Sequence, residues 1–250
     1  MSPTKATIRI GTSGYQYDHW KGVFYPKEIP KKHWFAHYTT HFDTVEINNT
    51  FYRLPQDKTF EAWREQAPPG FCYALKFSRY VSHLKRLQEP HEPINRFLGR
   101  ARRLQEFLGP ILVQLPPHWN VDIDRLAGFL KAASGAYRWA VEFRDPRWLC
   151  GEIYAILQHY NAALCIHDLI HDHPRHVTAD WVYLRFHGAS YGGSYPQPVL
   201  QAQARQIAQY VADGLDVFAY FNNDAYGYAV QHATKLKHFL REMRLDEISR

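Results

Sequence analysis

Short apolar runs alternate along the chain with longer amphipathic stretches. Eight runs are β-branched or aromatic and mostly end in Gly, Pro, Asn or Asp: 7–10, 44–47, 72–77, 111–114, 139–143, 163–167, 182–186 and 217–221. That pattern predicts strands. Between them, 32–40, 58–66, 94–108, 123–133, 152–160, 200–213 and 229–243 carry the spacing of helices. In 94–108, Ile94, Phe97, Leu98, Ala101, Leu104, Gln105 and Leu108 share one face, while Arg96, Arg100, Arg102, Arg103 and Glu106 fall largely off it. Strand and helix in alternation predict an α/β fold, an irregular (β/α)8 TIM-like barrel of eight parallel strands. One crossover is defective. Only 169–180 separates strands six and seven, and it contains Pro174, so the helix there is expected to be missing or very short. No linker, repeat or low-complexity tract divides the chain, which predicts a single barrel domain over 1–250.

Side chains alternate across a strand. With Val45 and Ile47 facing the helices, Glu46 and Asn48 turn inward. The same parity turns Lys76 and Ser78 inward on strand three, Glu142 and Arg144 on strand five, and Tyr183, Arg185 and His187 on strand seven. Strand one contributes Arg9 and Ser13, and strand four Gln114. Strand six (Cys165 and His167, or Asp168) and strand eight (Asn222 or Asn223) read either way. Barrel interiors are normally filled by branched apolar residues, so buried charges here must be paired, hydrated or covered by a ligand. Arg9, Lys76, Arg144 and Arg185 against Glu46 and Glu142 leave two excess positive charges, which suits an anion. The alternative is a structural ion-pair network. The positions at or near the carboxyl ends of strands, where barrel enzymes build their sites, favour function.

Composition narrows the class. Of 250 residues, 46% are apolar and 22% charged, enough for a full core and too apolar for a disordered chain. No apolar run reaches the ~18 residues of a membrane span, and 1–7 lacks the apolar stretch of a signal peptide. Three scattered cysteines without a CxxC spacing predict reduced thiols and a cytoplasmic location. The net charge of +6 and 15 histidines favour anionic partners, phosphates or nucleic acid.

Several motifs together resemble the YecE-like family, a domain-of-unknown-function family of barrels. They are Gly11-Thr-Ser-Gly14 with Tyr15, Tyr17, Trp20 and Gly22-Val-Phe-Tyr-Pro26; Val45-Glu-Ile-Asn-Asn-Thr-Phe-Tyr-Arg-Leu-Pro55; and Leu112-Val-Gln-Leu-Pro-Pro117. Ala140-Val-Glu-Phe-Arg144 with Trp148, Leu184-Arg-Phe-His-Gly188 and Tyr220-Phe-Asn-Asn-Asp224 complete the set. The block from Leu75 to His83 is similar to the family's lysine–arginine–histidine segment, with Ser82 where threonine is usual. The resemblance spans about residues 8–240 and implies an irregular TIM-like barrel without implying a reaction. Likeness of some members to endonuclease-IV-like barrels is a fold-level analogy. The stretch from His167 to His173, with His176, departs from the family pattern.

These features predict a metal-independent enzyme acting on a phosphate-bearing or other anionic small substrate. Glu46 and Glu142 are the candidate acid–base pair. Lys76 joins them as a phosphate clamp or a lowered-pKa amine, the clamp being the simpler role. Arg144 and Arg185 hold the anion, and Asn48, His187, Asn222, Asn223, Ser13 and Gln114 position the substrate. The glycine-rich loop after strand seven, from Gly188 to Ser194, offers backbone N–H groups to a phosphate. No cofactor is predicted. Two alternatives stand. One is a nucleic-acid phosphodiesterase using a divalent metal on His167, Asp168, His171, His173 or His187 with Glu46 or Glu142. The other is a non-catalytic binding protein for a ligand or nucleic acid. Arg79, His83, Lys85, Arg86, Arg96, Arg100, Arg102 and Arg103 either follow a nucleic-acid backbone or form a solvated face. Rings at Tyr15, Tyr17, Trp20, Phe51, Tyr52, Tyr80, Trp119, Trp148, Tyr191, Tyr195 and Tyr226 stack on a sugar or base, or pack loops; packing is expected for Trp20, Phe51 and Trp148.

Overall fold

The computed structural model describes residues 6–188 and 192–248. Its strands, in chain order, are β1 (Ile8–Thr12), β2 (Thr44–Ile47), β3 (Cys72–Lys76), β4 (Leu108–Gln114), β5 (Trp139–Glu142), β6 (Ala163–His167), β7 (Trp181–Phe186) and β8 (Asp216–Phe221). The helices are α1 (Trp34–His41), α2 (Asn49–Tyr52), α3 (Asp57–Gln66), α4 (His91–Ala101), α5 (Ile123–Ala133), α6 (Gly151–His159), α7 (Gln197–Ala212) and α8 (Tyr228–Ile248). Strands pair in the order β1-β8-β7-β6-β5-β4-β3-β2, and the β1–β8, β3–β4, β4–β5 and β5–β6 ladders are parallel. This is an α/β, TIM-like barrel fold. Among the described residues no helix is long and apolar enough to cross a membrane.

The expected gap between β6 and β7 is present: 168–180 contains turns and bends and no helix. Thr178 pins this connection to the root of β6. Its hydroxyl donates to the Ala162 carbonyl and accepts the Leu164 N–H, both at 2.7 Å. The helix expected over 94–108 is shorter. It ends at Ala101, Arg102–Phe107 tightens into 3₁₀ turns, and Leu108 opens β4. Gln105, at φ 52° and ψ −126°, lies far from helical backbone. Leu104 and Phe107 stay buried, so the apolar spacing outlasts the helix that it resembles.

The described residues gather into two compact units, one from within 1–45 and 184–250 and the other Glu46–Tyr183. In the first, aromatic side chains form the core. Tyr25 stacks on Trp34 at 4.5 Å, and Trp20, fully buried, packs on Tyr17, Phe24 and Tyr25. β1 pairs with β8 from Ile8↔Val217 to Thr12↔Phe221. On its other side β1 comes so close to β2 that a Cβ at Gly11 would collide with the Thr44 carbonyl. The buried Tyr38 hydroxyl bridges the two strands, accepting the Thr12 N–H at 3.1 Å and donating to the Thr44 carbonyl at 3.0 Å.

In the second unit, strand parity follows the sequence pattern. Tyr73 donates to the Trp63 carbonyl of α3, and Phe77 packs edge-on to Phe97 of α4 and against Phe129 of α5. Tyr73 and Phe77 therefore face helices, and Lys76 points to the opposite side of the sheet. Trp148 stacks on Phe143 and donates to the Trp119 carbonyl, a packing role like that of Trp20.

Tyr38→Phe removes one hydroxyl from two buried backbone groups. We expect a loss of about 1–3 kcal/mol in urea unfolding, with the m-value unchanged. A loss below about 0.5 kcal/mol would show that the strand seam does not depend on this bridge.

Candidate functional site

Within Glu46–Tyr183, the strand ends carry polar side chains where a barrel core is usually apolar. Lys76, Gln114, Glu142 and His167 are the last residues of β3, β4, β5 and β6. Gln114 and Glu142 are level in the ladder, and Lys76 pairs two residues lower with Leu112, on the same face. Glu142 is fully buried. One of its oxygens ion-pairs with Arg144 Nε, and the other lies 3.9 Å from Cys165 Sγ. Glu46, equally buried, accepts a 2.7 Å hydrogen bond from the Tyr183 hydroxyl. The Asn48 Oδ1 is a buried acceptor without a hydrogen-bond partner among the described residues.

Two short elements complete this cluster, and neither has enough length to show a period. α2 brings Phe51 against Lys76, whose Nζ sits 4.3 Å from the ring centre in a cation–π contact. Thr50 donates to the Lys76 carbonyl at 2.7 Å and fixes the strand end. A single π-type turn, Tyr80–Leu84, then presents His83 edge-on to the same Phe51 ring at 5.2 Å. Such turns occur frequently at functional sites.

The tautomer of His83 follows from its neighbours. Ser82 Oγ donates its one proton to the Ser78 carbonyl at 3.1 Å and lies 2.9 Å from His83 Nδ1. The hydroxyl therefore accepts from Nδ1–H, and Nε2 keeps an open lone pair. Burial first, and then the positive charges of Lys76, Arg79 and Arg144, push the His83 pKa down to about 4, with Glu142 opposing. His173 has the same character. Its Nδ1 lies 2.9 Å from the Pro174 carbonyl, which only accepts, so Nε2 carries the lone pair and is buried without a partner among the described residues. Burial and His167 bring its pKa to about 4, again against Glu142. Two neutral imidazoles with open Nε2 atoms thus feel the same carboxylate.

The remaining predicted residues are arranged otherwise. His167 uses both ring nitrogens on backbone: Nδ1 accepts the Leu169 N–H at 3.2 Å, so Nε2–H donates to the Phe143 carbonyl at 2.7 Å. His171 is exposed and pairs with Asp172. Among the described residues no three His, Cys, Asp or Glu side chains converge to hold a metal ion. Arg9 pairs with Asp43 at 3.1 Å on the amino-terminal half of β1, so its charge is answered locally.

Arg185, His187, Asn222, Asn223 and Ser13 belong to the other unit. There Arg185 is buried, with Nη1 3.4 Å from His187 Nε2. Asn223 is fully buried and ties the loop after β7, its amide reaching the Gly193 carbonyl at 2.9 Å and His232 Nδ1 at 3.0 Å. Asn222 caps the same region through its N–H to the Phe186 carbonyl, and the Ser13 carbonyl accepts the Tyr17 hydroxyl. Of the predicted phosphate loop, Gly188 donates its N–H to the Tyr195 hydroxyl and Gly192 to the His187 carbonyl. Ala189, Ser190 and Tyr191 lie outside the described residues.

The family model for DUF72, a protein of unknown function, matches residues 9–248. The chain belongs to the DUF72 family. Among its relatives is the UPF0759 protein YecE of Escherichia coli K12, 32% identical over 112 residues, 44% of this chain and 41% of that protein. That match spans about two fifths of the relative's length. The UPF0759 protein YunF of Bacillus subtilis 168 is 23% identical over 93% of this chain and 94% of its own. A crystal structure of a DUF72 family protein from Thermotoga maritima superposes with a TM-score of 0.85 at 25% identity, covering 94% of this chain and 99% of that one. One from Enterococcus faecalis gives 0.81 at 19% identity over 94% and 96%. This DUF72 member thus shares the TIM-like barrel with its solved relatives.

His83, absent from the residues expected to form the site, is the main addition. The Lys76–Arg79–His83 block was visible as a motif, but no strand parity assigned it.

The neutral histidines make stability sensitive to acid. His83, His173 and His232 all titrate near 4 in the fold and near 6.5 when unfolded. Their folded values are depressed, so their contribution is present above pH 6.5 and lost as pH falls towards 4. Half-buried Asp224, raised to about 6 by burial, acts in the opposite direction, one carboxylate against three imidazoles. We expect the Tm to fall steadily between pH 6.5 and 4. A flat profile over that window would refute the neutral-imidazole assignment.

Proposed function

We propose that this DUF72 protein is an enzyme that binds a phosphate-bearing or other anionic small molecule and acts on it by side-chain acid–base chemistry. Lys76 and Arg144 hold the anion, and His83 is the proton-transfer group. The observation that carries this reading is His83 itself: an imidazole kept neutral first by its half-burial and then by the cations beside it, with Nε2 open. A base with a pKa near 4 is weak at neutral pH. An anion seated on Lys76 and Arg144 would cancel the field that depresses it and raise its proton affinity. The base is thus switched on by the substrate it serves. Glu142 holds Arg144 in place, and the Asn48 Oδ1 is an acceptor for a substrate hydroxyl or amine. Glu46, tied to Tyr183, remains the candidate second acid–base group. Proton transfer of this kind calls on no metal.

The test is the titration of His83 followed by NMR, with inorganic phosphate and a panel of phosphorylated metabolites. Without anion the pKa should lie near 4, and saturation should raise it by at least about one unit. Lys76→Met should raise the free value and remove the response to anions. With any metabolite that is turned over, His83→Gln should keep binding and lose at least 100-fold in kcat. An anion-insensitive His83, or full turnover in His83→Gln, would overturn the proposal.

A further inference from the structure

α2 and the 80–84 turn each present a second side chain away from the cluster just described, and both line one groove. Phe51 reaches Lys76 and His83, while the next residue, Tyr52, is 78% exposed. His83 packs on Phe51, while Tyr80, at the start of the same turn, is 51% exposed. The groove between them has a volume of about 770 Å³ and is also lined by Arg53, Lys58, Arg96 and Arg100.

Lys85 Nζ stands 6.0 Å from the Tyr80 ring centre, at the outer limit of a cation–π contact, and Tyr52 meets Phe51 edge-on. Yet both rings stay largely exposed, which carries an apolar cost unless something stacks on them. The cations are equally telling. Arg100 belongs to the floor: it donates to the Leu54 and Pro55 carbonyls and approaches Asp57 at 3.7 Å. Arg53, Lys58 and Arg96 are exposed and, among the described residues, make no ion pair or hydrogen bond. Glu92 is the one acid in the lining. Three uncommitted cations with two exposed tyrosines, on a floor fixed by Arg100, have the makeup of a backbone track with stacking platforms.

We propose that this groove binds a short single-stranded nucleic acid. Arg53, Lys58 and Arg96 meet successive phosphates, and Tyr52 and Tyr80 stack on bases. The arrangement fits a strand better than a duplex, because only unpaired bases offer free faces to the rings. It is independent of the chemistry assigned to His83.

The experiment is fluorescence anisotropy of the full chain with labelled single-stranded DNA and RNA oligonucleotides, a matched duplex, and an acidic peptide as competitor. Three phosphate contacts predict a slope of log K against log salt of about −2, or roughly a 20-fold loss between 50 and 200 mM salt. Tyr52→Ala and Tyr80→Ala should each weaken binding by at least about fivefold. Arg53→Ala and Arg96→Ala should each flatten the salt slope by about 0.7. All four positions are exposed, and unchanged Tm values verify that the variants are folded. The proposal fails if single strands do not bind at 50 mM salt, or if the tyrosine variants bind as the wild type does. It also fails if the duplex binds equally well, or if the acidic peptide competes as strongly as an oligonucleotide. Loss of oligonucleotide binding with the phosphate response of His83 intact would separate the groove from the neighbouring site.

Discussion

A carboxylate sealed from water is the constraint around which the second unit is organised. Glu142 has no exposed surface, and an isolated charge there would cost several kcal/mol or take up a proton. The Arg144 guanidinium answers it, and that need places an arginine at the mouth of the strands. On top of its burial, His83 then feels the positive potential of Lys76, Arg79 and Arg144. The charge that stabilises one buried group suppresses the protonation of another, so ion pairing and proton chemistry are parts of one electrostatic arrangement.

The fold was largely legible because its signal is periodic. Alternation turned Lys76, Glu142 and Tyr183 away from the helices correctly, since each strand buries an apolar face that leaves no choice of register. The absent helix before β7 was legible from chain length and Pro174. The site was only half legible. Residues within strands inherit their direction from the sheet, but His83 and His173 stand on a one-turn element and a connection. There the direction is set by single hydrogen bonds, to Ser82 and to the Pro174 carbonyl. Nothing in the spacing encodes such bonds. The overlong 94–108 helix shows the converse: Leu104 and Phe107 satisfy burial at helical spacing while Gln105 breaks the backbone.

Aromatic residues illustrate how packing and function share a side chain. Trp20 and Trp148 hold loops, as expected from their size and their need for an N–H acceptor. Phe51 is also buried, yet its ring is the surface on which Lys76 and His83 rest. Its removal would disturb both the core and the cation it supports, so neither role is separable by truncation alone.

The helix-free stretch between β6 and β7 has an evolutionary consequence. A crossover helix is constrained at every third or fourth position by the apolar stripe that it buries. Here the connection is secured by Thr178 at the root of β6 and by the reciprocal bonds of Asn161 and Asp180. Its other positions are exposed or half-buried, with His176 stacked on Tyr154 of α6 and His173 against His167. The loop that holds His173 answers to these few point contacts and not to a helical stripe, so sequence can vary between them while the strands beneath stay fixed.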